Sequence, residues 1–188
     1  SIKSTGGMDL AAPEGGEIRF HDGSYAAGAV VLNSSSGSSE STGAIILDGS
    51  LAETHFADVM GRSASAEELQ LSRTHQWKKT ATLHNGTLQV QGNAYLDVSQ
   101  MSVLAGELSL DSSNMRSKSF VLESDARLSL AGSNYVQLGA ADLSNGSVLS
   151  FSNLPMMDNC LEGEIDFANL TIRIADEQLA EGTYKLFT

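Results

Sequence analysis

A single cysteine, Cys160, occurs in 188 residues, so no disulfide can form within the chain and a disulfide-stapled scaffold is excluded. Proline is nearly absent as well, with two residues, and aromatic residues make up 6%. Basic residues are scarce: 11 Lys and Arg stand against 23 Asp and Glu, a formal net charge of −12. Phosphate recognition needs a basic footprint, so no nucleic-acid partner is expected. The acidic surface favours solubility and repels anionic membranes and sialylated or sulfated glycans. No apolar run approaches the roughly 20 residues of a membrane helix, so no membrane insertion is expected.

Several chemistries are missing too. Neither common glycine-rich phosphate loop is present, so no cofactor is expected. No Gly-x-Ser-x-Gly elbow singles out a nucleophile among the many serines. The four histidines, His21, His55, His75 and His84, show no two-His helical spacing and no cysteine partners. Glu53, His55 and Asp58 in "ETHFAD" would need a further ligand from elsewhere, so no metal centre is expected. Cys160, in "MMDNCLEGE", lacks an identifiable base and reads as a small core residue. The first residue, Ser1, suits a processed or trimmed chain whose signal peptide has gone.

What the chain does contain is a repeat. The segments "NGTLQVQGN" (85–93), "AGELSLDSSN" (105–114), "ARLSLAGSN" (126–134) and "GSVLSFSN" (146–153) each carry an apolar-x-apolar pair. These are Leu88/Val90, Leu108/Leu110, Leu128/Leu130 and Leu149/Phe151, about 20 residues apart, with Leu170/Ile172/Ile174 as a fifth copy. Serine lies between the pair in three copies, at Ser109, Ser129 and Ser150. Alternation with period 2 places the apolar members on one face of a strand, and a fixed period near 20 is the mark of stacked coils. The fold expected is all-β: a right-handed parallel β-helix (β-solenoid) with one short helix, the alternative being an antiparallel β-sandwich. The asparagines closing the copies, Asn93, Asn114, Asn134 and Asn153, are expected to stack as a ladder.

Three sections follow along one continuous domain. Residues 1–62 form an irregular N-terminal β section, either a cap or first coils of the same solenoid. Its strands are expected in "GGEIRF", "GAVVLN" and "GAIILD", with a Ser/Gly-rich loop at 33–43. Residues 63–80 hold the short helix, about 66–73, and a connection; Ser65 three residues before Glu68 is a capping box. Residues 81–188 hold the regular coils.

The repeat segments, with the closing "EGTYKLFT", resemble the autotransporter-associated β-strand repeats of exported bacterial proteins. That resemblance implies a passenger-like β-helix, secreted or at the bacterial cell surface, with an adhesive or interaction role at mucus or host glycoprotein. No segment resembles the membrane barrel of those proteins. A second, partial resemblance is to small secreted aspartic proteases of mucus-dwelling gut bacteria that act on mucin. It rests on Asp22-Gly23-Ser24 and Asp48-Gly49-Ser50, each lacking the threonine of the protease signature. Under that reading Asp22 and Asp48 are the catalytic pair of an aspartic-type endopeptidase, sharing a proton and activating water. The competing reading is that each Asp-Gly is a turn needing positive φ. Asp97, Asp111, Asp125 and Asp142 read as solvent-facing turn residues. Trp77, Tyr95 and Tyr135 are the candidate binding residues, able to stack on sugar rings; packing in the core or at a coil edge is the alternative for each.

Overall fold

The computed structural model describes residues 2–34, 41–143, 146–152, 160–165 and 170–174. Within them the chain winds into a parallel β-solenoid of about seven turns with two short helices. Each turn contributes strand to three faces. The first coil is β1 (Ile2–Ser4), β2 (Met8–Leu10) and β3 (Glu17–Phe20); the second is β4 (Ser24–Ala26), β5 (Val30–Leu32) and β6 (Ala44–Asp48). After the helices α1 (Ala52–Met60) and α2 (Ala66–Ser72), β7 (Thr74–Leu83) and β8 (Thr87–Gln91) make the third. The single long strands β9 (Tyr95–Asp111) and β10 (Asn114–Ala131) bend round all three faces. The remaining coils are β11 (Tyr135–Leu143) with β12 (Val148–Ser152), and β13 (Cys160–Ile165) with β14 (Thr171–Ile174).

The apolar pairs of the repeat occupy the third face and stack in register. Ile18, Ile45, Leu88, Leu108, Leu128, Leu149 and Ile172 form one inward column. Phe20, Leu47, Val90, Leu110, Leu130, Phe151 and Ile174 form the next. The repeat therefore reaches back through residues 17–48, whose strands are the first coils of the solenoid. Its last copy enters the columns through Ile172 and Ile174, with Leu170 packed against the core from outside the strand. From the second coil onward the core is almost wholly closed: Ile45, Leu47, Leu88, Val90, Leu108 and Leu110 have no exposed surface. Between the pairs, Ser109, Ser129 and Ser150 line up on the opposite side of the sheet.

The asparagine ladder does not form. Asn114 pairs with Tyr95 on one side and Tyr135 on the other, not with Asn93 or Asn134. Corner length explains it. Three residues separate Gln91 from Tyr95 and Ala131 from Tyr135, but only two separate Asp111 from Asn114. The dropped residue moves Asn114 from the corner into the strand, while Asn93 takes the left-handed corner conformation at φ 63°. Asn134 instead uses its side chain one coil back: Oδ1 accepts from Ser113 N at 3.1 Å. Asn33 does the same at another corner, accepting from Ala12 N at 2.9 Å and donating to the Gly43 and Asn85 carbonyls. Asn153 and the closing residues 181–188 lie outside the described residues.

Of the two helices, α2 has the expected capping box: Glu68 N donates to Ser65 Oγ and Ser65 N to Glu68 Oε2. The helix α1 goes beyond the one helix expected. It begins at Leu51 without a side-chain cap and ends in a left-handed Gly61 whose N–H bonds Ala57 O. Together the helices form an arm inserted between β6 and β7. Its base is pinned by Gly23 N to Ser72 O at 2.6 Å and Arg73 Nε to Gly49 O at 3.0 Å. No described helix is long and apolar enough to cross a membrane.

The columns predict a sharp contrast. Truncating Leu110, stacked between buried neighbours, leaves a cavity the coils above and below cannot fill, so Leu110→Ala should cost about 3 kcal/mol. Ser109→Ala, next to it but outward, should change stability by less than about 0.5 kcal/mol. Urea unfolding followed by circular dichroism measures both.

Candidate functional site

The two Asp-Gly-Ser corners lie in successive coils where the third face turns into the first. Their aspartates are not equivalent. Phe20 pairs with Leu47, so Asp48 directly follows the shared rung whereas Asp22 comes one residue later. In a strand a one-residue offset reverses the side chain's direction, and the surroundings of the two carboxylates differ accordingly.

Asp48 is 4% exposed. Its Oδ1 accepts from Ser50 N at 3.0 Å and Ser50 Oγ at 2.5 Å, an Asx-turn that fixes the corner. Its Oδ2 accepts from Arg19 Nη1 at 2.7 Å and Gln91 Nε2 at 2.9 Å. Arg19, Asp48 and Gln91 come from the first, second and third coils, so one carboxylate ties three turns together. Burial pushes its pKa up, but the bonds from Ser50, Gln91 and Arg19 outweigh that and hold it below the ordinary aspartate value. With both oxygens doubly engaged and the charge balanced by Arg19, Asp48 acts as the keystone of a turn. A carboxylate that shares a proton with a second one needs the opposite environment.

Asp22 faces the helical arm instead: its Oδ2 lies 3.4 Å from His55 Nδ1 on α1. The His55 ring sits 5.8 Å from that of His21, whose Nδ1 is buried without a hydrogen-bond partner among the described residues. Among the described residues no group of three or more His, Cys, Asp or Glu side chains is placed to hold a metal ion.

Beneath this corner lies a buried polar set. Trp77 can only donate, so its Nε1–H bonds Ser24 Oγ at 3.1 Å. The Ser24 hydroxyl is also hydrogen-bonded to His75 Nδ1 at 3.0 Å, the direction of that bond being set by the tautomer of the ring. Burial lowers the pKa of His75 to about 4, against an opposing pull from Asp22. A hydroxyl bonded to an imidazole resembles a nucleophile and its base. However, Ser24 points inward, is 3% exposed and is bonded to a fully buried Trp77, so it satisfies the core and offers no attacking oxygen to a substrate.

The three candidate binding residues separate. Trp77 has no exposed surface and presents no face to a ligand. Tyr95 and Tyr135 stand on the outward side of the first face, in one column with Asn114 between them. Tyr135 is 40% exposed, and its hydroxyl donates to Glu162 at 2.8 Å. The neighbouring outward column runs Tyr25, Gln76, Asp97, Arg116, Gln137 and Glu162. Within it Arg116 binds Asp97 through two bonds, at 3.1 and 2.8 Å. At the end nearest the first coil the arm and this same face border an open cleft of about 700 Å³, with Asp22 in its lining. The cleft was not visible in the sequence, because it depends on which corner the arm leaves. No protein-family model, curated protein or solved structure matches the chain.

Two stability tests follow. Because the folded pKa of Asp48 is depressed, its contribution is complete above about pH 4 and is lost as pH falls through the folded value. Asp48→Asn should therefore destabilise by about 1–3 kcal/mol at pH 7, with the gap to wild type narrowing in urea titrations as pH falls below about 4. For His75 the unfolded chain takes up a proton below about pH 6.5 while the folded chain resists until about pH 4. Stability should fall across that window by about 3 kcal/mol, and His75→Asn should flatten the slope.

Proposed function

We propose that this chain is an exported, passenger-like β-solenoid module that binds extracellular glycoprotein, mucin among them, at the bacterial surface or after secretion. The observation that carries this reading is the outward column Tyr95–Asn114–Tyr135 on the first face. Strands stacked about 4.8 Å apart set the two tyrosines about 10 Å from each other. Aromatic rings offer apolar contact to the C–H faces of sugars, while neighbouring amides and carboxylates orient hydroxyls. Asn114, Gln137 and Glu162 supply such groups alongside. The resemblance of the repeat to exported bacterial coils supports the address.

The proteolytic alternative, an aspartic-type endopeptidase working through Asp22 and Asp48, needs a free carboxylate pair, and the bonds around Asp48 argue for a structural turn. Immobilised mucin decides between the two. Wild type should bind without releasing peptides between pH 3 and 8, and Tyr95→Ala and Tyr135→Ala should each weaken binding about tenfold, about 1.4 kcal/mol. Binding unaffected by both substitutions would refute the tyrosine column. Peptide release abolished by Asp22→Asn and by Asp48→Asn would replace the binding reading with the protease.

A further inference from the structure

The cleft under the helical arm adds a second element to the first face. Its volume, about 700 Å³, falls in the range of roughly 300–1,000 Å³ usual for small-ligand sites. One wall is the sheet, with Tyr25 and Gln76 adjacent in the outward column. The other is the arm, with Phe56 from α1 and Leu71 from α2; Leu71 is 64% exposed. Asp22, Glu68 and, from the first coil, Lys3 are the charged residues of the lining.

The two carboxylates of this cleft are met from within the protein. Glu68 is bonded by both Arg62 amino nitrogens, at 2.6 and 3.2 Å. The same Arg62 lies over the Phe56 ring, 5.3 Å from its centre, and covers one of its two faces. Asp22 faces His55. A site with aromatic surface on both walls, an amide and partnered carboxylates suits a ligand with apolar faces and hydroxyl edges, and does not call for a charged one. The net charge of −12 disfavours an anionic ligand further.

Resting on the glycoprotein-binding reading above, we infer that the cleft holds the uncharged sugar ring at the end of a glycan chain. The ring lies against Tyr25 and Phe56, and Gln76 and Asp22 bond its hydroxyls. The Tyr25 and Gln76 column continues along the same face past Tyr95 and Tyr135, so the rest of the chain can run across successive coils. Specificity then lies in the cleft and avidity along the face.

Isothermal titration of the full chain with N-acetyllactosamine and with its sialylated form tests this. The neutral sugar should bind at least about fivefold tighter than the sialylated one. Phe56→Ala and Tyr25→Ala should each weaken N-acetyllactosamine binding about tenfold, with Phe56→Tyr, which keeps the ring, close to wild type. Unchanged circular dichroism in the alanine variants would assign the loss to the cleft. Wild-type affinity in both alanine variants, or equal affinity for the two sugars, would overturn the cleft assignment while mucin binding through Tyr95 and Tyr135 stands. Failure of the wild-type protein to bind mucin or either sugar would overturn both readings.

Discussion

Every other feature of this molecule depends on parallel, in-register pairing of each strand with its counterpart one turn later. A single strand of three to five residues buries little and leaves its backbone groups unpaired on both edges. Stacking satisfies both needs at once, since the ladder consumes the N–H and C=O groups while like side chains close over one another. The side-chain period of two makes register unforgiving. Where Phe20 stacks on Leu47, one residue's difference in position sends Asp48 into a tight network of donors and Asp22 toward the helical arm. Similar tripeptides thus do unlike work because the ladder, and not the local motif, decides which way a side chain faces.

Corners set what the ladder receives. Gly86 and Gly106 have φ of 71° and 82° and lie one above the other where the second face meets the third. A Cβ on Gly106 would sit 2.2 Å from Gly86 O, so any larger residue would push the coils apart. At the corner between the third and first faces, coil length is free to vary by a residue. The shorter corner before Asn114 places an amide between Tyr95 and Tyr135 in the outward column. The composition of the proposed binding face is therefore a consequence of backbone length at a corner.

This division explains what could be read in the sequence. Apolar alternation and a period near 20 expose the later coils, because β7 to β12 follow one another with short corners. The first two coils carry the same columns, yet the Ser/Gly-rich stretch of sequence between β5 and β6 and the arm at 49–73 break the spacing, so they read as irregular. The helix α2 announces itself through Ser65 and Glu68; α1 does not, since Leu51 supplies no capping oxygen. Asn93, Asn114 and Asn134 recur in the sequence but diverge in space, as recurrence in a sequence does not register a residue lost from a turn. The tyrosines could be named as candidates without any means of telling that Trp77 would be enclosed and Tyr135 left open.

One inward column of the first face shows where the fold departs from its own rule. Reading from the second coil onward it runs Ser24, His75, Leu96, Met115 and Val136. It is polar only in the two coils that carry the arm, and apolar afterwards. An imidazole held neutral by burial costs stability as the medium turns acidic, and a leucine there would not. Local departures of this kind are expected where a structure serves something besides its own stability. Here the departure coincides with the pinned base of the arm, the His55–Asp22 contact and the cleft. The second and third coils, whose inward side chains Ser24, His75 and Trp77 are joined by hydrogen bonds, are thus the ones that carry the arm and border its cleft.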